Sequence, residues 1–275
     1  MKFTGERLVP EKNKQDLIYG EHIVRYLFAK QFIKDKVVLD IASGVGYGTR
    51  ILAENVKRII GVDISKEAIE YAKRNYACKN CEFLVGDAEK LNFEDKSFDV
   101  VVSFETIEHL KNYKKFLEEI RRTLKDNGLF IVSTPNKEIY PPGNPFHIKE
   151  FSEKEFKTEL QKLFKFISLE YQNNFINNII YKKSLYINNL ETFRDKNINQ
   201  KPLYIIALCS NIPIIKTYKR LEFITAPKNI ANPIIEKELQ ERTQWAKSLE
   251  KEVNERTAWA QKLDKELAER TEWAK

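Results

Sequence analysis

The chain is expected to fold as an α/β domain, a mostly parallel sheet with helices on both faces. Three observations lead there. An apolar run, Val37-Val38-Leu39, stops at Asp40 and enters a turn with glycines at 44, 46 and 48; Thr49-Arg50-Ile51-Leu52-Ala53-Glu54 then resumes with helical character. A second apolar run, Ile59-Ile60-Gly61-Val62, ends on Asp63, nineteen residues after Gly44. From 36 to 136 strand-like and helix-like segments alternate, the signature of strand–helix–strand units.

Phe83-Leu84-Val85 reads as a third strand, followed by Gly86-Asp87-Ala88, and Phe98-Asp99-Val100-Val101-Val102-Ser103 as a fourth. The stretch from Leu124 to Pro135 supplies a turn and a fifth. Glu67 to Lys73 reads as the helix after strand two, and Phe116, Leu117, Ile120 and Leu124 share one face of the helix before strand five. Ser152-Glu153-Lys154-Glu155 is a capping box that opens another helix. Phe166 to Tyr171 and Tyr204 to Leu208 read as the last two strands.

Four further segments surround this frame. Residues 1–35 read as a lid, with apolar residues at helical spacing between Glu21 and Phe28. Within a domain spanning 36–210, residues 172–201 are Asn-rich and read as an insertion over the substrate mouth. A linker, 211–233, leads to a stretch without Gly or Pro, 234–275. There Glu241-Arg242-Thr243-Gln244-Trp245-Ala246 recurs at Glu255 and begins again at Glu269, a period of fourteen, or two heptads. Leu249, Val253, Leu263 and Leu267 keep the spacing of a coiled-coil seam, so self-association or a partner helix is expected. The end at Lys275 falls part-way through a repeat, which suggests a longer parent chain.

A glycine turn after strand one lets the backbone approach a ligand that a Cβ atom would push away. An acid at the end of strand two is placed to accept both hydroxyl hydrogens of a ribose. Dinucleotide sites favour G-x-G-x-x-G with a pyrophosphate on the helix N-terminus. Here the spacing is G-x-G-x-G, and Asp40 would repel a pyrophosphate but attract an ammonium. The stretch from Leu39 to Gly48, with the later strands in register, resembles the class I S-adenosylmethionine-dependent methyltransferases. That resemblance implies a Rossmann-like, seven-stranded sheet ending in an antiparallel hairpin. It also implies S-adenosylmethionine as cofactor. The backbone around Gly44 and Gly46 would hold the methionine part near Asp40, Asp63 the ribose, Asp87 the adenine amino group and Ala88 the ring; Ala42, Ile64 and Ser103 complete the cofactor positions. The opening Phe3-Thr4-Gly5-Glu6-Arg7-Leu8-Val9-Pro10 resembles the leader of bacterial methyltransferases found with surface-polysaccharide assembly.

Glu105, Glu108 and His109 follow strand four at i, i+3 and i+4, so one helical turn would turn all three to one side. His147, in the loop after strand five, belongs to the same edge. Two carboxylates and two imidazoles suit a divalent metal, Mg²⁺ among others. E-x-x-E-H also resembles the metal motif of ubiquinone-pathway O-methyltransferases and, with the later histidine, that of small-RNA 2′-O-methyltransferases. In the alternative reading no metal binds, Glu108 orients backbone, and His109 or His147 is a general base. With or without a metal, the expected acceptor is a small-molecule or glycan hydroxyl. An RNA 2′-O-methyltransferase and an inactive domain carrying a coiled-coil scaffold are the rivals.

Composition narrows the partners. The formal charge of +7 is concentrated in 151–233, but no RNA-binding motif accompanies it, so nucleic acid is not expected. No apolar run approaches the roughly 20 residues that span a bilayer, and the N-terminus has no signal-peptide core. Three cysteines point to a reducing cytoplasm, with Cys78-Lys79-Asn80-Cys81 an incidental C-x-x-C.

Overall fold

The computed structural model describes residues 17–140, 143–173 and 202–214. The leader, the insertion from 174, the linker from 215 and the repeat 234–275 lie outside the described residues.

Seven strands form one sheet: β1 (Val37–Ile41), β2 (Arg58–Asp63), β3 (Cys81–Val85), β4 (Phe98–Phe104), β5 (Leu124–Pro135), β6 (Phe166–Gln172) and β7 (Tyr204–Ser210). Their order is β3-β2-β1-β4-β5-β7-β6. The first five run parallel. β7 lies antiparallel between β5 and β6, which closes the sheet with the expected hairpin. Every parallel strand therefore ends on one edge, where the chain must turn and where its polar residues collect.

Alternation along the strands sorts the core into two layers. Leu39, Ile60, Val101 and Phe130 face one layer; there α4 (Tyr113–Thr123) brings Phe116, Leu117 and Ile120, and α5 (Glu153–Gln161) brings Phe156 and Leu160. Val38, Ile59, Val100 and Ile131 face the other, with Ile23 and Tyr26 of α1 (Leu17–Ala29) and Leu52 of α2 (Tyr47–Leu52). Burying one such side chain contributes roughly 1.5–3 kcal/mol. α3 (Lys66–Asn75) packs Ile69 and Ala72 against Phe83. Its start is set by the Ser65 side chain, which accepts from Ala68 N. The capping box of Ser152 and Glu155 forms at the start of α5.

One expectation is corrected. Cys78 and Cys81 form a disulfide across the turn before β3, so this C-x-x-C is a covalent link rather than an incidental spacing, and only Cys209 is a free thiol. The turn brings the two Cα atoms to 5.0 Å, within the range a disulfide spans. Among the described residues no helix is long and apolar enough to cross a membrane.

Candidate active site

The loop between β1 and α2 has positive φ at Ala42 (57°), Gly44 (56°) and Gly46 (91°). The alternating left-handed positions are thus 42, 44 and 46, one step earlier than the three glycines suggest. Gly48 sits inside α2 for another reason: a Cβ there would stand 1.9 Å from the Tyr26 ring. Asp63 closes the loop from the end of β2. Its Oδ2 accepts from Gly44 N and its Oδ1 from Ser65 N, each at 2.9 Å.

Asp40 shares the β1 face of Val38, which directs it toward the α1–α2 layer. Its Oδ2 accepts from Thr49 Oγ1 at 2.6 Å; Oδ1 is buried with no hydrogen bond of good geometry, and the Tyr26 hydroxyl also acts on the carboxylate. Burial pushes this carboxyl up to about 7, against the pull of Thr49. Ser43 Oγ and Ser103 Oγ are likewise buried without partners. Asp87 is exposed at the end of β3 and accepts from Glu89 N at 2.8 Å; Ile64, next to Asp63, is 70% exposed.

The second corner follows β4. Glu105 takes φ 49° and is held by Ser133: its N–H donates to Ser133 Oγ at 3.2 Å, and that hydroxyl donates to Oε1 at 2.7 Å. A left-handed glutamate cannot share the turn formed by Ile107–His109. Glu105 therefore stands apart from the one-turn group expected of it, while ligand atoms of Glu108, His109 and His147 lie within 4.8 Å of one another. Glu108 is fully buried; Thr134 Oγ1 donates to Oε2 at 3.2 Å, and Oε1 has no partner. Burial, then the charge of Glu105, push its carboxyl well above the usual range.

Hydrogen bonds assign the histidine tautomers. His109 Nδ1 lies 3.0 Å from Phe146 O. A carbonyl only accepts, so Nδ1 carries the proton and Nε2 is the basic atom. Asn144 Oδ1 accepts from Phe146 N at 3.0 Å, which turns its amide nitrogen to His147 Nε2, also at 3.0 Å. His147 Nδ1 donates to Glu150 Oε1 at 3.1 Å, so both nitrogens of this ring are engaged. The donor types suit a divalent cation, but the arrangement does not fit one: a metal would have to displace Asn144 and ionise Glu108. The arrangement fits proton transfer at His109.

Comparison with known proteins bears on this edge. Residues 39–132, from β1 to β5, match the family model described as a methyltransferase domain. A probable S-adenosylmethionine-dependent methyltransferase of Mycolicibacterium smegmatis is 33% identical over 165 residues, covering 58% of this chain and 63% of that protein. A protein of the same description from Mycobacterium tuberculosis is 32% identical, covering 58% of this chain and 60% of its own. The chain thus spans less than two thirds of the curated relatives it matches. A chain of the Haloferax volcanii complex that contains the Trm112 methyltransferase activator has the same fold. It superposes with a TM-score of 0.55 at 20% identity, covering 74% of this chain and 94% of that one.

Beside this matched segment, α1 contributes side chains that no motif in the sequence announces. Arg25 is fully buried; its Nη1 donates to Gln172 Oε1 at 2.9 Å, and its guanidinium lies 4.7 Å from the Tyr204 ring centre. Tyr204 Oη donates to Glu21 Oε2 at 2.7 Å. His22 Nδ1 shares a 2.8 Å hydrogen bond with the Tyr47 hydroxyl. Burial and then the Arg25 charge push the His22 pKa well below its usual value, so the ring is neutral. The one signal in the sequence is Glu21 and Arg25 at i, i+4 among apolar residues, a pair that a solvated face explains as readily.

Proposed function

We propose that the chain is an S-adenosylmethionine-dependent methyltransferase that acts on a hydroxyl of a small molecule or a glycan intermediate. The observation that carries this is one edge holding two corners. The 42–46 loop clasped by Asp63 stands on one side, and Nε2 of His109 on the other. The buried Oδ1 of Asp40, which lacks a hydrogen bond of good geometry, answers an ammonium, and the left-handed loop lets the backbone come close to a ligand. Asp63 takes the ribose hydroxyls, Asp87 and Ala88 the adenine edge, and the exposed Ile64 covers a purine face.

When bound, the donor supplies a methyl carbon that an acceptor oxygen attacks as the carbon–sulfur bond breaks. His109 receives the acceptor's hydroxyl proton at Nε2, and the Phe146 carbonyl holds the ring in the required tautomer. The proximity of Glu108, His109 and His147 supports a second reading, in which these three hold a divalent cation such as Mg²⁺. The hydrogen bonds of His147 favour the proton-transfer reading over it.

The surface-polysaccharide acceptor rests on the leader at 3–10, and a self-associating helix on the period of 241–274. Methyl release from labelled S-adenosylmethionine onto a panel of sugar nucleotides and lipid-linked sugars tests the acceptor. Calorimetry with S-adenosylhomocysteine tests the donor site: no binding at millimolar ligand ends the reading. Sedimentation of the full chain against one ending at Pro233 tests the helix, and two monomers at tens of micromolar would dismiss it.

A further inference from the structure

The turn from α3 into β3 carries Cys78 and Cys81, a pair the proposed chemistry does not use. Their disulfide spans a sequence separation of three. Such a bond stabilises a fold most when it closes a long loop, so this one is a weak staple. Its surroundings provide for both oxidation states. The Asn80 amide nitrogen donates to Ala53 O and Val56 O, each at 2.9 Å, which fixes the amide and turns Oδ1 to Cys78 Sγ at 3.4 Å. A thiol at Cys78 finds that acceptor already in place, and Cys81 N holds the turn by donating to Cys78 O at 3.2 Å. Stabilising the reduced form makes a disulfide easier to reduce. Both cysteines are half-buried at the start of an edge strand, within reach of a small thiol, whereas Cys209 is fully buried in β7.

The pair also touches the floor of the glycine loop. Cys81 packs on the cluster of Ile69, Ala72 and Phe83. A Cβ at Gly46 would stand 2.6 Å from Ala72 Cβ and 2.7 Å from Phe83 Cε1, so Gly46 lies flat against that cluster. Asn80 ties the same turn to the residues that follow α2. The elements behind the loop therefore meet at the cysteine turn.

We propose that Cys78 and Cys81 are a thiol–disulfide exchange site whose oxidised form holds the glycine loop in shape for the donor. The ligand it serves rests on the methyltransferase reading. In reduction, the thiolate of a small thiol such as glutathione attacks Cys81 Sγ and the bond between the cysteines breaks. Cys78 leaves as a thiolate, takes up the proton the attacking thiol gave up, and hydrogen-bonds to Asn80 Oδ1. A second thiol attacks the mixed disulfide and frees Cys81 in the same way; the two attacking sulfurs leave joined, having given two electrons.

The test uses the full chain in millimolar glutathione buffers, with alkylation and intact mass to count reduced Cys78 and Cys81. Half reduction is expected at a reduced-to-oxidised ratio between about 1:1 and 100:1, a range in which structural disulfides stay closed. S-adenosylhomocysteine is titrated into the oxidised and the reduced protein. Reduction should weaken it about fivefold, and by linkage saturating ligand should shift the redox equilibrium toward the disulfide by the same factor. The variant with both Cys78→Ser and Cys81→Ser should bind like the reduced protein. A pair still oxidised at the reducing end of that range, or still open at its oxidising end, overturns the proposal; so does equal affinity in the two states. If neither state binds S-adenosylhomocysteine, the methyltransferase reading fails by itself. Hydrogen exchange at the Gly44 and Gly46 amides, bonded to Asp63 and Ser43, then decides. Faster exchange on reduction supports the switch, and equal exchange overturns it.

Discussion

The Oδ2 atom of Asp40 accepts a 2.6 Å hydrogen bond from Thr49 Oγ1, so β1 and α2 are joined behind the glycine loop as well as through it. The other oxygen is buried and has no hydrogen bond of good geometry, with the Tyr26 hydroxyl as its polar neighbour. That asymmetry makes Asp40 both a brace and an electrostatic reserve.

The reserve has a pH signature. Burial raises the folded-state pKa to about 7, whereas the unfolded chain titrates near the usual ~3.9. A raised carboxyl contributes most to stability below the unfolded value, and that contribution is lost as pH rises through the folded one. Between pH 5.5 and 8 the wild type should lose on the order of 1–2 kcal/mol in urea unfolding that Asp40→Asn does not lose. A donor ammonium beside Asp40 favours its charged form, so binding near pH 7 should also release a proton. Calorimetry in phosphate and in Tris reads this; equal observed heats in these two buffers, whose ionisation enthalpies differ, would place the ammonium elsewhere.

Ala42 is the one loop position at positive φ that is not glycine. A Cβ in the left-handed region costs about 1–2 kcal/mol, and glycine's greater freedom in the unfolded chain returns about 0.5–1 kcal/mol of that. Ala42→Gly should therefore stabilise the protein, by up to about 1 kcal/mol, with donor affinity unchanged. A lower melting temperature in this variant would mean that the Ala42 methyl makes a packing contact worth more than the strain.

Asp63 does two jobs on the proposed reading, and its variants separate them. Asp63→Ala removes the acceptor for Gly44 N and Ser65 N and any ribose partner, so S-adenosylhomocysteine should bind a few kcal/mol more weakly. Asp63→Asn keeps one oxygen and should fall between. Wild-type affinity in the alanine variant would remove Asp63 from the donor site.

The succession of strands along the chain, the face of α4 and the start of α5 were legible because hydrophobic period and caps are local signals. Phe116, Leu117 and Ile120 declare a buried face by their spacing alone. The register of the loop was not legible: glycines at 44, 46 and 48 suggest three equivalent turns, but only geometry separates left-handed positions from Gly48, which is small to clear Tyr26. Glu105 was misplaced for a similar reason. Spacing of i, i+3, i+4 implies one turn only where the backbone is helical, and a left-handed φ at its first member breaks the pattern. Arg25 was invisible because its partners, Gln172 and Tyr204, are 147 and 179 residues away, and no window along the chain contains them.

The histidine corner gives the sharpest choice between two chemistries. With Nδ1 held by the Phe146 carbonyl, His109 presents Nε2 as its basic atom, and His147 is tied at both nitrogens. Proton transfer by a positioned side chain contributes typically about 10²–10⁴-fold. His109→Ala should lower turnover by that order while S-adenosylhomocysteine affinity stays within twofold. His147→Ala should do less, since its loss loosens the 144–150 loop without removing the base. Treatment with EDTA should leave the wild-type rate unchanged. If chelation abolishes turnover and Mg²⁺ restores it, Asn144 must yield His147 to a cation and the proton-transfer reading gives way. In that case Asn144→Ala should tighten the metal, because it removes the amide that competes for Nε2.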